Sequence, residues 1–97
     1  MNTYFLLSNY SDQGIRNVRE SPRRVDAARE LIRSVGGEMK PFYLTMGKFD
    51  FIAHCEFPDD AAAARFALSL GALGNVRTTT VKAFPESEFR DIIGSLP

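Results

Sequence analysis

MGKFDFIAHCEFPDDAAAARFALSLGALGNVRTTTVKAF, residues 46–84, reads as strand, helix, strand. Within it residues 49–57, FDFIAHCEF, alternate with period two, as a strand with one buried face does. Phe49, Phe51, Ala53, Cys55 and Phe57 form an apolar side; Asp50, Ile52, His54 and Glu56 form a mixed one. The apolar side is expected under helices, the mixed side against water, a partner or a ligand. Pro58 lacks a donor for the ladder and ends the strand. Asp59 and Asp60 then supply an N-cap oxygen and negative charge for a helix start. Ala63, Phe66, Ala67 and Leu70 fall at i, i+3, i+4 and i+7, one apolar stripe. Gly71 is the expected C′ residue, and β-branched VRTTTV, residues 76–81, the next strand.

Outward from this stretch, TYFLLSNY (residues 3–10) is a first strand, with Phe5 and Leu7 on one side and Tyr4, Leu6, Ser8 and Tyr10 on the other. The connector SDQGIRNVRE, residues 11–20, is longer than the usual two to six residues. Ile15 and Val18 fit one helical turn that pins it, as a surface loop or as a lid. Ser21 and Pro22 open a helix as N-cap and N1. Val25, Ala28, Leu31, Ile32 and Val35 are its buried stripe, and Asp26–Arg29 and Glu30–Arg33 its i, i+3 ion pairs. Gly36 and Gly37 stop it. Residues 38–46, EMKPFYLTM, form a strand that Pro41 places at an edge. Gly47 and Lys48 turn it back into 49–57 as a hairpin. A last strand at 75–84 leads past Pro85 to a closing helix with Phe89, Ile92, Ile93 and Leu96 on one side.

The order β-α-β-β-α-β-α predicts an α+β, ferredoxin-like sandwich with a C-terminal helix, one domain over residues 1–97. It places strand 3–10 beside strand 49–57 in mid-sheet, with both helices on one face. The other face is expected to show Tyr4, Leu6 and Ile52, with Phe42 or Tyr43. That apolar surface calls for a second copy over it, hence a homodimer or higher homo-oligomer.

These residues also carry a resemblance. Gly47, Phe49, Asp50, the run Glu56–Asp60, Ala67-Leu68, the run Leu73–Thr78 and Ala83-Phe84 resemble the GYD domain family, as do Gly14-Ile15, Ser21-Pro22 and Arg24. Phe49 stands where the namesake tyrosine is expected. The resemblance implies a dimeric α/β-barrel of ferredoxin-like topology; it implies a fold and not a reaction.

Twelve basic and twelve acidic residues cancel, which argues against a nucleic-acid partner. A single cysteine fits a reducing compartment, the N-terminal run has neither a basic leader nor a cleavage site, and no apolar run reaches the length of a membrane span. A cytoplasmic location without a membrane partner is expected.

His54, the one histidine, has the only unperturbed pKa near neutrality. With Asp50 and Glu56 on its side, and Tyr4 or Tyr10 from the next strand, it is the candidate catalytic acid–base group. The competing reading makes it a hydrogen-bonded interface residue. Tyr4, Tyr10, Asp50, His54, Glu56 and Arg77 are the candidate ligand-binding set. Arg77 suits a forked contact with an anion or an ion pair at a subunit edge, and both readings stay open; Lys48 is a second candidate for holding an anion. His54 and Glu56 fall short of the three or four ligands a metal takes, so no metal or cofactor is expected. Cys55 reads as a buried hydrophobe. Three functions fit: small-molecule binding in the cleft over the open sheet face, which leads; a cofactor-independent oxygenase- or isomerase-like enzyme using His54; and a protein-interaction or assembly subunit.

Overall fold

The computed structural model describes residues 1–97. Its elements run β1 (Asn2–Tyr10), α1 (Asp12–Arg16), a 3-10 turn (Val18–Glu20), α2 (Ser21–Ser34), β2 (Glu38–Leu44), β3 (Phe51–Phe57), α3 (Asp60–Ala72), β4 (Val76–Ala83) and α4 (Glu86–Gly94). The strands form one antiparallel sheet in the order β2-β3-β1-β4. This is the ferredoxin-like α+β architecture. Pro41 lies on the edge strand, within a bulge between Met39 and Phe42, where a missing donor costs the ladder nothing.

Residue parity on β3 decides the layers. Phe51, Ala53, Cys55 and Phe57 are buried, while Ile52, His54 and Glu56 are half-buried on the other side. The apolar side packs against Ala28 and Ile32 of α2 and Ala62, Ala63 and Phe66 of α3. Alanines on both helices let their backbones approach the sheet, and Phe57 and Phe66 fill the centre with ring centroids 5.6 Å apart.

The register corrects the expectation for β1. Tyr4 pairs with Cys55 and Leu6 with Ala53, so Tyr4 and Leu6 lie in the core, each 3% exposed. The open face instead carries Phe5 and Leu7, opposite His54 and Ile52. Phe42 likewise packs against the core, whereas Tyr43, opposite Ile52, is 58% exposed.

Helix ends differ from expectation in two places. Asp59 caps α3 by accepting the Ala62 N–H at 2.8 Å, as expected. Ser21, however, is already helical (φ −54°, ψ −44°); Glu20 is the N-cap of α2, and the Ser21 hydroxyl bonds to Tyr10 instead. Gly71 stays inside α3, and the chain turns at Gly74, φ 83°. Gly36, φ 81°, does follow the α2 C-cap. The Glu30–Arg33 pair forms at 3.1 Å; Arg29 donates to the Met39 carbonyl oxygen rather than pairing with Asp26.

The hairpin between β2 and β3 is wider than expected, spanning residues 45–50, and Thr45 closes it by donating from its backbone N–H to Asp50 O and from its hydroxyl to Phe49 O. Ile15 and Val18 do not pin the connector, being 51% and 42% exposed. Polar bonds hold it instead. The Ser11 backbone N–H donates to Asn75 O, and Arg24 donates to Gly14 O at 3.2 Å and Asn17 O at 3.0 Å.

Candidate functional site

Alternation divides five residues of the candidate ligand set between two sides of the sheet, and the sixth, Asp50, lies outside the strands. His54 and Glu56 sit on the open face of β3, and Arg77 sits on the same face of β4, opposite Asn9. His54 lies flat against Phe5, ring centroids 5.1 Å apart and planes 19° apart. Its Nε2 is buried and has no hydrogen-bond partner within the chain. Arg77 stands two strands and four residues away from the His54 level, roughly 16 Å at standard strand spacings. The geometry therefore does not bring His54 and Arg77 onto one small substrate within a single chain. Lys48, in the 45–50 loop, lies over the Phe49 ring at 5.9 Å.

Tyr4 and Tyr10 lie on the other side, and Asp50 sits in the 45–50 loop at the end of β1. The Tyr4 hydroxyl donates to Asp60 Oδ1, and Lys82 Nζ lies 3.2 Å from the same oxygen. Burial, and then the bond to Asp60, pushes the Tyr4 hydroxyl above its ordinary value. The bond from Tyr4, and then the bond and charge of Lys82, hold the Asp60 carboxyl below its own. Asp50 accepts the Tyr10 backbone N–H at 2.9 Å and so finishes the end of β1. The Tyr10 ring meets Phe51 edge-on at 4.6 Å, and its hydroxyl lies 2.6 Å from Ser21 Oγ.

On this helix side α2, α3 and the sheet line a cavity of about 280 Å3, with 18 lining residues of which 14 are hydrophobic. Leu6, Leu31, Phe42 and Phe66 are among its walls. Ser8 lines it and is 8% exposed. Tyr10, Ser21, Arg24 and Asn75 gather at one end, where β1, α2 and the start of β4 meet. Sequence reasoning missed this cavity. Its faint signal was the small side chains of Ala27, Ala28 and Ala53 on facing elements, beside a serine at a core position of β1.

No group of three or more histidine, cysteine, aspartate or glutamate side chains comes together that could hold a metal ion. No helix is long and apolar enough to cross a membrane.

A family model described as GYD domain matches residues 4–93. A relative from Thermus thermophilus, named glutamine synthetase and cystathionine beta-lyase binding protein, is 33% identical over 89 residues, covering 91% of this chain and 94% of the relative. No solved structure matches the chain significantly.

Proposed function

This chain belongs to the GYD domain family, and we propose that it works by association: two copies close their open sheet faces on each other, and the dimer binds a larger protein, an enzyme. The observation that carries the reading is the open face itself. Phe5, Leu7, Ile52, Tyr43 and Val81 lie on one side of the sheet, and none of them belongs to the core packed under α2 and α3. An apolar face of this kind in a small chain marks an interaction site. A two-fold pairing makes it self-complementary, since each residue of the patch then meets the same patch. His54 and Glu56 belong to that interface, where the bare Nε2 of His54 gains a partner from the second copy.

The enzyme-binding half of the proposal is supported by the relative's name, which says that the relative binds two enzymes. The reading of His54 as a catalytic acid–base group has less support, because its ring is committed to Phe5 and the candidate anion holder Arg77 is remote from it.

Sedimentation velocity on the full chain tests the dimer. A dimer that Ile52→Glu converts to a folded monomer is expected, and a monomeric wild type would overturn the reading. Surface plasmon resonance against the host's purified glutamine synthetase and cystathionine β-lyase tests the second half. Saturable binding to at least one enzyme is expected; flat traces for both would remove enzyme binding as the role while leaving the dimer standing.

A further inference from the structure

The helix-side cavity is lined by one polar side chain that makes no hydrogen bond within the chain. Ser8 is more than nine-tenths buried, and its hydroxyl makes no hydrogen bond within the chain, whereas the side chains of Tyr10, Ser21, Arg24 and Asn75 each make at least one. Ser8 lines the cavity, so its hydroxyl is free to bond whatever occupies that space. A serine in an otherwise apolar wall therefore offers a ligand one hydrogen bond.

The charges around the cavity narrow the ligand. Arg24 is the only ionic side chain among the lining residues. Two of its N–H groups hold Gly14 O and Asn17 O, which leaves three of the five guanidinium donors free. Asn75 accepts from Gln13 through Oδ1 at 2.9 Å, so its amide N–H groups are the part left to donate. Ser21 opens α2, and the positive end of that helix adds to the same bias. Donors, a cation and a helix start thus sit at one end of a chamber whose remaining walls are hydrocarbon and aromatic.

We propose that this cavity binds a small apolar carboxylic acid, with its carboxylate toward Arg24 and Asn75, its body among Leu6, Leu31, Phe42 and Phe66, and Ser8 providing a further hydrogen bond. The volume of about 280 Å3 lies just below the ~300–1,000 Å3 typical of ligand pockets, which suits an arylalkanoic acid better than a long-chain lipid. The site is on the opposite side of the sheet from the proposed dimer face, so it stands or falls independently of that reading. Arg24, which lines the cavity, also ties α2 to the connector at Gly14 and Asn17.

The test is calorimetry and amide NMR titration of the full chain with 4-phenylbutyrate, against 4-phenylbutanol and 4-phenylbutylamine as neutral and cationic probes of equal bulk. The acid is expected to bind saturably and tightest, with shifts centred on Ser8, Val25 and Leu70. Ser8→Ala should weaken it about fivefold, the worth of one net hydrogen bond, with the melting temperature of the ligand-free protein unchanged. Ala28→Leu, which fills the chamber, should abolish binding; if that variant fails to fold, Ser8→Ala decides. Absence of saturation by the acid, equal affinity for all three probes, shifts centred on Phe5 and His54, or an unchanged affinity in Ser8→Ala would each overturn the proposal.

Discussion

Gly14 of α1 rests directly against the carbonyl oxygen of Asn75 at the entry to β4: a Cβ on that glycine would stand 1.9 Å from the oxygen. The contact is a matter of space. Asn75 O is also the acceptor for the Ser11 N–H at 3.0 Å, so the oxygen cannot yield without losing that bond. Gly14→Ala is expected to destabilise the fold by about 1–3 kcal/mol, the range for overpacking. Gly71→Ala is the control, because that helical glycine has nothing near its missing Cβ and alanine is the better helix former by roughly 1 kcal/mol. Urea midpoints for the two variants should therefore move in opposite directions. A Gly14→Ala midpoint equal to wild type would show that α1 is not fixed on β4.

The contrast between Gly14 and Tyr4 shows what could be read from the chain alone. Local patterns are legible where one parity is apolar and the other is not. FDFIAHCEF has that asymmetry, and β3, its buried side and the α3 cap at Asp59 all follow from it. TYFLLSNY has apolar residues at both parities, so alternation is silent about which side is inside. Only the pairing of Leu6 with Ala53 settles it, and that is a long-range fact. The ligand set inherits the same ambiguity. Grouping Tyr4 and Tyr10 with His54 puts them on the wrong side of the sheet, and the cavity at Ser8 depends on how α2 and α3 pack on the sheet, which no local spacing encodes.

Acid and alkali should act through Asp60, Tyr4 and Lys82. The Asp60 carboxyl is held below its ordinary 3.8, first by the Tyr4 hydroxyl and then by Lys82. A lowered value means the folded state favours the charged form, so this stabilisation is present above the ordinary value and is lost as pH falls through the folded one. The Tyr4 hydroxyl is raised above 10.0 by burial and by Asp60. Its contribution is complete below that value and is lost as pH rises through the folded one. The stability difference between wild type and Asp60→Asn should therefore shrink below about pH 4. The difference between wild type and Tyr4→Phe should shrink above about pH 10. Urea denaturation across pH measures both, and a difference that is flat with pH in either pair would dissolve the corresponding link.

Cys55 should be chemically silent in the folded protein. It is completely buried, and burial pushes its thiol up from 9.0 to about 12 against the opposing pull of Arg29. The thiolate is the reactive species, so at mild alkaline pH almost none is present and no reagent reaches it. Labelling with an aromatic disulfide is expected to be slow, to follow the opening of the fold, and to become immediate in denaturant. Fast stoichiometric labelling of the native protein would mean that the centre of the sheet opens readily.

Helix α4 gives the sharpest test of which surfaces belong to the fold and which to a partner. Phe89, Ile92 and Ile93 are 53%, 42% and 52% exposed, and Leu96 beyond the helix is 62% exposed. The helix makes at most glancing contact with the other elements. An amphipathic helix held this way gains nothing from its own core, since helical stability in proteins comes largely from packing of the apolar face. The double substitution Phe89→Ser and Ile92→Ser should leave the thermal unfolding of dilute monomer within about 0.5 kcal/mol of the parent, the usual range for surface changes. The same variant should weaken self-association or enzyme binding, whichever surface α4 serves. An Ile52→Glu background, monomeric by expectation, separates the two: enzyme binding that survives Ile52→Glu and fails when the α4 changes are added assigns the helix to the enzyme. A large loss of monomer stability from the α4 changes alone would instead place the helix against its own domain.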